Sequence, residues 1–74
     1  MTTPHVERSG CRFKAITGAD GKPVIQLELF HQTVSLLTGA TVEFELLSGT
    51  SLAQARTLAE SANERILNVV VSKS

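Results

Sequence analysis

The chain has 74 residues, 42% hydrophobic and 19% charged, with seven basic and seven acidic side chains and no net charge when histidine is neutral. That balance describes a small globular protein rather than a disordered one, and basic residues scattered in this way make a poor electrostatic footprint for nucleic acid. A chain this short buries only about 60 to 65% of its unfolded surface, and with Cys11 as the single cysteine and no close-spaced metal motif, oligomerisation is the remaining way to supplement a small core.

Residues 1–10, MTTPHVERSG, mix Thr, Pro, His, Ser and Gly without periodicity and read as a disordered tail, with a single domain over residues 11–72. They hold no apolar segment of a secretory signal, and no run of about 18 apolar residues follows, so no membrane partner is expected. With one cysteine and no export signal, the expected compartment is the reducing cytoplasm.

From Cys11 the chain alternates. Cys11, Phe13 and Ala15 point one way and Arg12 and Lys14 the other, the period of a half-buried strand. A second run sets Ile25, Leu27 and Leu29 against Gln26 and Glu28, and GADGKP between the two reads as a hairpin. Parity decides its register, because a slip of one residue turns every side chain to the wrong face. A two-residue Asp20-Gly21 turn sets Lys14 opposite Leu27. A three-residue loop of Ala19, Asp20 and Gly21, with Gly21 left-handed as a bulge, pairs Gly18 with Lys22 instead. That register sets Ala15 with Ile25, Phe13 with Leu27 and Cys11 with Leu29 on the inner face, and Arg12 with Glu28 and Lys14 with Gln26 on the outer.

In HQTVSLLTGA the apolar VSLL fits either a short strand or a helical turn capped by Gly39; the expectation taken is an extension of the second strand, after a bulge near His31 and Gln32, that turns at Thr38 and Gly39. TVEFELL then alternates again, with Val42, Phe44 and Leu46 inward and Glu43 and Glu45 outward. Ser51 and Gln54 form a capping box at the start of a helix. Leu52, Ala55, Ala59, Ala62 and Ile66 recur three and four apart, one stripe that can face a sheet. Gln54, Arg56, Thr57, Glu60, Ser61 and Glu64 point outward, balanced in charge. After Asn63, the expected left-handed residue of a tight turn, Leu67, Val69 and Val71 alternate with Asn68, Val70 and Ser72 as a short strand. The expected architecture is α+β: a two-layer sandwich in which an antiparallel meander of three to four strands is followed by one amphipathic helix and a short C-terminal strand.

Three strands before an Ala-rich helix, over Cys11 to Ile66, resemble part of the double-stranded-RNA-binding domain. That family has lysines at the start of the helix, where this chain has Ser51, Leu52, Ala53 and Gln54, and a preceding helix, for which MTTPHVERSG has no pattern. The likeness is one of topology, and topology does not carry function.

No catalytic, cofactor or metal site is expected. His5, Cys11 and His31 are the only soft ligands, and they form no metal spacing. Cys11 falls on the core face, where a buried thiol is commoner than a nucleophile. Glu28, Glu43 and Glu45 share the outer face as solvated carboxylates, a commoner circumstance than an acid-base pair. The remaining signal is apolar residues in excess of what one inner face accommodates: Ile16, Val24, Phe30, Leu37, Leu47 and Val70. They point to an interaction module that self-associates as a homodimer or binds another protein. The first alternative is nucleic-acid binding through Arg8, Arg12, Lys14 and Lys22, and the second is small-molecule binding or catalysis at a dimer cleft near His31.

Overall fold

The computed structural model describes residues 5–30 and 39–73. The elements in chain order are β1 (His5–Thr17), β2 (Pro23–Leu29), β3 (Val42–Glu45), α1 (Leu52–Arg65) and β4 (Asn68–Lys73). The strands form one antiparallel sheet in the order β3-β2-β1-β4, with α1 laid across one face. The fold is therefore the small α+β class that the alternating runs and the capped helix predict.

The β1-β2 hairpin has the register that parity requires. Cys11 faces Leu29, Phe13 faces Leu27 and Ala15 faces Ile25. The Gly18 N–H donates to the Lys22 carbonyl at 2.7 Å and the Gly21 N–H to the Gly18 carbonyl at 3.0 Å, closing a three-residue loop. Gly21 has φ +81°, which a side chain would resist. The Asp20 carboxylate accepts the Lys22 N–H at 3.1 Å and secures the loop from its other side.

Two expectations are corrected. The first strand begins at His5, not Cys11: residues 5–10 pair with β4, Glu7 opposite Val71 and Ser9 opposite Val69. VERSG carries no alternation of hydrophobicity because polar residues occupy both faces, so its strand state comes from hydrogen bonding to β4, which local pattern does not reveal. The second concerns Asn63. It is not left-handed, and among the described residues only glycines have positive φ. The helix runs on to Arg65 and leaves through an extended Ile66, whose N–H donates to the Ala62 carbonyl at 2.8 Å. The expected strand extension over HQTVSLLT falls outside the described residues.

Asn63 has another task. Strand β1 pairs with β4 through Gly10 and with β2 from Cys11 onward, so among the described residues no strand pairs with its β4-side edge beyond Gly10. There the Asn63 side chain takes both backbone groups of Phe13: Oδ1 accepts the N–H at 2.7 Å and Nδ2 donates to the carbonyl at 2.9 Å. The amide does what a neighbouring strand residue would do, and it ties the end of α1 to the middle of β1.

The core is thin. Among the described residues the buried apolar side chains are Val24, Ile25, Ala55 and Ala59, and no large side chain is fully enclosed. Ala55 and Ala59 lie in the predicted stripe, and their lack of bulk lets α1 sit close on β1, with a lesser contact on β2. The capping box is formed, with Ser51 Oγ accepting from the Gln54 N–H at 3.1 Å and Gln54 Oε1 accepting from the Ser51 N–H at 2.9 Å. Phe13 and Phe44 meet at 6.1 Å between ring centroids, but Phe44 stays 45% exposed, since α1 lies mainly on β1 with a lesser contact on β2.

The molecule is long for its size. Its radius of gyration is 14.1 Å and its longest extent 47 Å, against roughly 11 Å for the radius of a globular chain of this length. The 13 residues of β1 span about 43 Å, whereas the 14 residues of α1 span about 21 Å. The helix thus lies on the hairpin half of β1, and the half that pairs with β4 runs past the helix end.

Two substitutions check this account. Gly21→Ala, forced into a left-handed conformation, is expected to destabilise by about 1 kcal/mol, a fall of roughly 4–8 °C in the thermal midpoint. Asn63→Ala is expected to cost about 1–2 kcal/mol, since two hydrogen bonds are lost together. It should also speed amide exchange at Phe13, read residue by residue, while leaving the Gly18 amide protected.

Candidate interaction site

The outer face of the sheet, opposite α1, carries the charges. Arg8, Arg12 and Lys14 are exposed and follow one another along the even-numbered side of β1. Arg12 faces Glu28 and Lys14 faces Gln26 across the register, and Gln26 in turn faces Glu43 on β3. Glu43 and Glu45 therefore lie two strand spacings, about 10 Å, from the basic row. Lys22 is exposed beside the hairpin loop, apart from that row. The sequence-predicted basic residues come together as three on a strand and one at a turn, on a face that also holds three carboxylates.

The predicted apolar patch divides. Ile16 and Val24 face each other at the hairpin end. Val24 is only 8% exposed, so the expectation that it offers surface is corrected. It is buried although on the outer face, because one of its methyl groups lies against Gly18, where a β-carbon would meet Val24 Cγ1 at 3.3 Å. Leu47, 88% exposed, belongs to the loop between β3 and α1. Phe30 and Val70, 63% and 51% exposed, lie toward the opposite end of the sheet, about 20 Å and about 27 Å along β1 from the Ile16-Val24 pair. The Phe30 N–H donates to the Gly10 carbonyl at 3.0 Å, and its ring lies over Gly10. Leu37 and His31 fall outside the described residues.

Around Val70 the structure adds residues that periodicity missed. Val6, Ile66 and Leu67 are exposed, Leu67 by 84%, and all three lie on β4, opposite it, or in the link that enters it. Val6 is flanked by His5 and Glu7 in a stretch without alternation, so only its pairing with Ser72 places it on the sheet. Leu67 alternates in sequence with Val69 and Val71, but the strand starts at Asn68 and Leu67 belongs to the link. A run of Ile-Leu immediately before a strand edge was the available signal.

A cavity of about 590 Å³ opens between the hairpin loop and the loop after β3, lined by Asp20, Lys22, Glu43, Glu45 and Thr50 among others. Its charged groups are three carboxylates and one ammonium, with no His or Cys beside them to serve as base or nucleophile. Among the described residues no group of three or more His, Cys, Asp or Glu side chains is placed to hold a metal ion. Cys11 is a half-buried free thiol on the inner face, and His5 Nε2 lies 3.1 Å from Glu7 Oε1 on the same strand. No helix among the described residues is long and apolar enough to cross a membrane.

Fold and surface together define a two-layer α+β domain with an apolar strand edge and a polar open face. Compared with protein-family models, curated proteins and solved structures, the chain has no significant match.

Proposed function

We propose that this chain is a non-catalytic protein-protein interaction module that acts as a homodimer in the cytoplasm. The observation that carries the reading is the gathering of exposed Val6, Ile66, Leu67 and Val70 about β4, in a domain whose own buried apolar side chains are few. Exposed apolar clusters of this kind mark contact surfaces, and a second copy supplements a small core without disulfide or metal. The free thiol of Cys11 suits a reducing compartment. Sedimentation at micromolar concentration is expected to show a dimer, and the thermal midpoint to rise with protein concentration, since dimerisation stabilises by mass action. A monomer with a midpoint independent of concentration would refute the reading.

Alignment of Arg8, Arg12 and Lys14 on one face supports a second reading, nucleic-acid binding. Neutralising three phosphates on duplex DNA gives log K a slope of roughly −2.7 against log salt. Titration with labelled single- and double-stranded oligonucleotides at low salt tests it. Binding with that slope supports the reading, and no binding at low salt ends it.

A further inference from the structure

A sheet in the order β3-β2-β1-β4 has two outer edges, and the two are built differently. On β3 the outer-face residues are Glu43 and Glu45. If β3 paired antiparallel with the β3 of another copy about Phe44, each Glu43 would stand directly opposite the other copy's Glu45. Like charges about 5 Å apart across a strand pair are destabilising, so this edge is protected against self-pairing. Strand β4 carries a single charged residue, Lys73, at its far end. From Asn68 to Ser72 it reads NVVVS, uncharged, with three consecutive β-branched residues.

The backbone of β4 is also presented for pairing. On β1, Gly10 directs its carbonyl to β2, where Phe30 donates to it, while Phe13 directs its N–H and carbonyl to the other side, where Asn63 takes both. Odd-numbered residues of β1 therefore hydrogen-bond toward β4. Their partners there are Val69, opposite Ser9, and Val71, opposite Glu7. By the same alternation Asn68, Val70 and Ser72 direct their N–H and carbonyl groups away from the sheet, and all three are exposed.

From this we infer that β4 is the dimer interface: it pairs antiparallel with β4 of a second copy about a two-fold axis at Val70. The inference rests on the homodimer reading above and names the surface. In that register Val70 faces Val70 and Asn68 faces Ser72 of the other copy, so every outward backbone group on these residues finds a partner and no charged side chains are brought face to face. The nearest like charges on the outer face are the two Arg8 guanidiniums. Arg8 lies opposite Val70 on β1, so the two copies of Arg8 are three strand spacings apart, about 14 Å and beyond the screening length of about 8 Å at physiological salt. Ile66 and Leu67 flank the start of the strand and are covered as the edges meet. The partner is a second copy because the stretch from Asn68 to Ser72 is complementary to itself: uncharged, β-branched at its centre and symmetric about Val70, with Lys73 left opposite Leu67 rather than another charge.

Val70→Pro tests the assignment. Proline is tolerated where the missing N–H faces outward from an edge, so the monomer keeps its pairing with β1 while the dimer loses a symmetric pair of hydrogen bonds. Val70→Lys keeps the backbone donor but sets two ammonium groups opposite each other, so it serves even if the proline variant fails to fold by circular dichroism. Each variant is expected to weaken dimerisation roughly tenfold to hundredfold by sedimentation equilibrium. In the unsubstituted chain the amides of Asn68, Val70 and Ser72 should gain protection from exchange as concentration rises. If the unsubstituted chain dimerises and both variants match it, or if those amides gain no protection, the β4 assignment is overturned and the homodimer reading stands. If the unsubstituted chain is a monomer throughout, both fall.

Discussion

Strand β1 keeps one unbroken alternation from His5 to Thr17, and the remaining elements are arranged by it. Its odd-numbered side chains face the helix layer and its even-numbered ones the open face. Its odd-numbered backbone groups face β4 and its even-numbered ones face β2. The hairpin loop sets this phase at one end, since three loop residues with a left-handed Gly21 leave Phe13 opposite Leu27. The phase then propagates without a bulge to the other end, where it decides which residues of β4 turn their backbone outward.

Because β1 is about twice as long as α1, the two halves of the sheet are held differently. The hairpin half is stabilised by burial, through Ile25, Ala55 and Ala59. The β4 half depends more on pairing, with Val69 and Val71 half-buried and Val70 turned out. Asn63 stands at the join, where the partner of β1 on that side changes from a strand to a single amide. Two hydrogen bonds there replace what a backbone neighbour would supply, which is why a polar residue is retained so close to the end of the helix.

The open face combines features that pull in different directions. A basic row on β1 and glutamates on β2 and β3 balance over about 10 Å, giving a face that is polar and electrically neutral overall. Apolar exposure is greatest at the β4 end, with Phe44, Leu47 and Leu58 exposed apart from it. That division separates a solvated surface from one that gains by being covered.

Local patterning determined much of this molecule. The hairpin and its register, the inner and outer faces of β3, the capping box at Ser51 and the alanine stripe of α1 all follow from periodicity and turn chemistry, because each depends on residues near in the chain. The strand state of residues 5–10, the amide bridge from Asn63 to Phe13, the burial of Val24 against Gly18 and the exposure of Ile66 and Leu67 were decided by tertiary structure. The first two depend on a partner distant in the chain, β4 for His5 to Gly10 and the edge of β1 for Asn63; Val24 is covered within its own hairpin through the bare Cα of Gly18, which alternation does not register. The candidate interface belongs to this second group. NVVVS reads as a strand from its composition alone, but only its pairing with β1 shows that the strand is an edge and which of its backbone groups are offered to a partner.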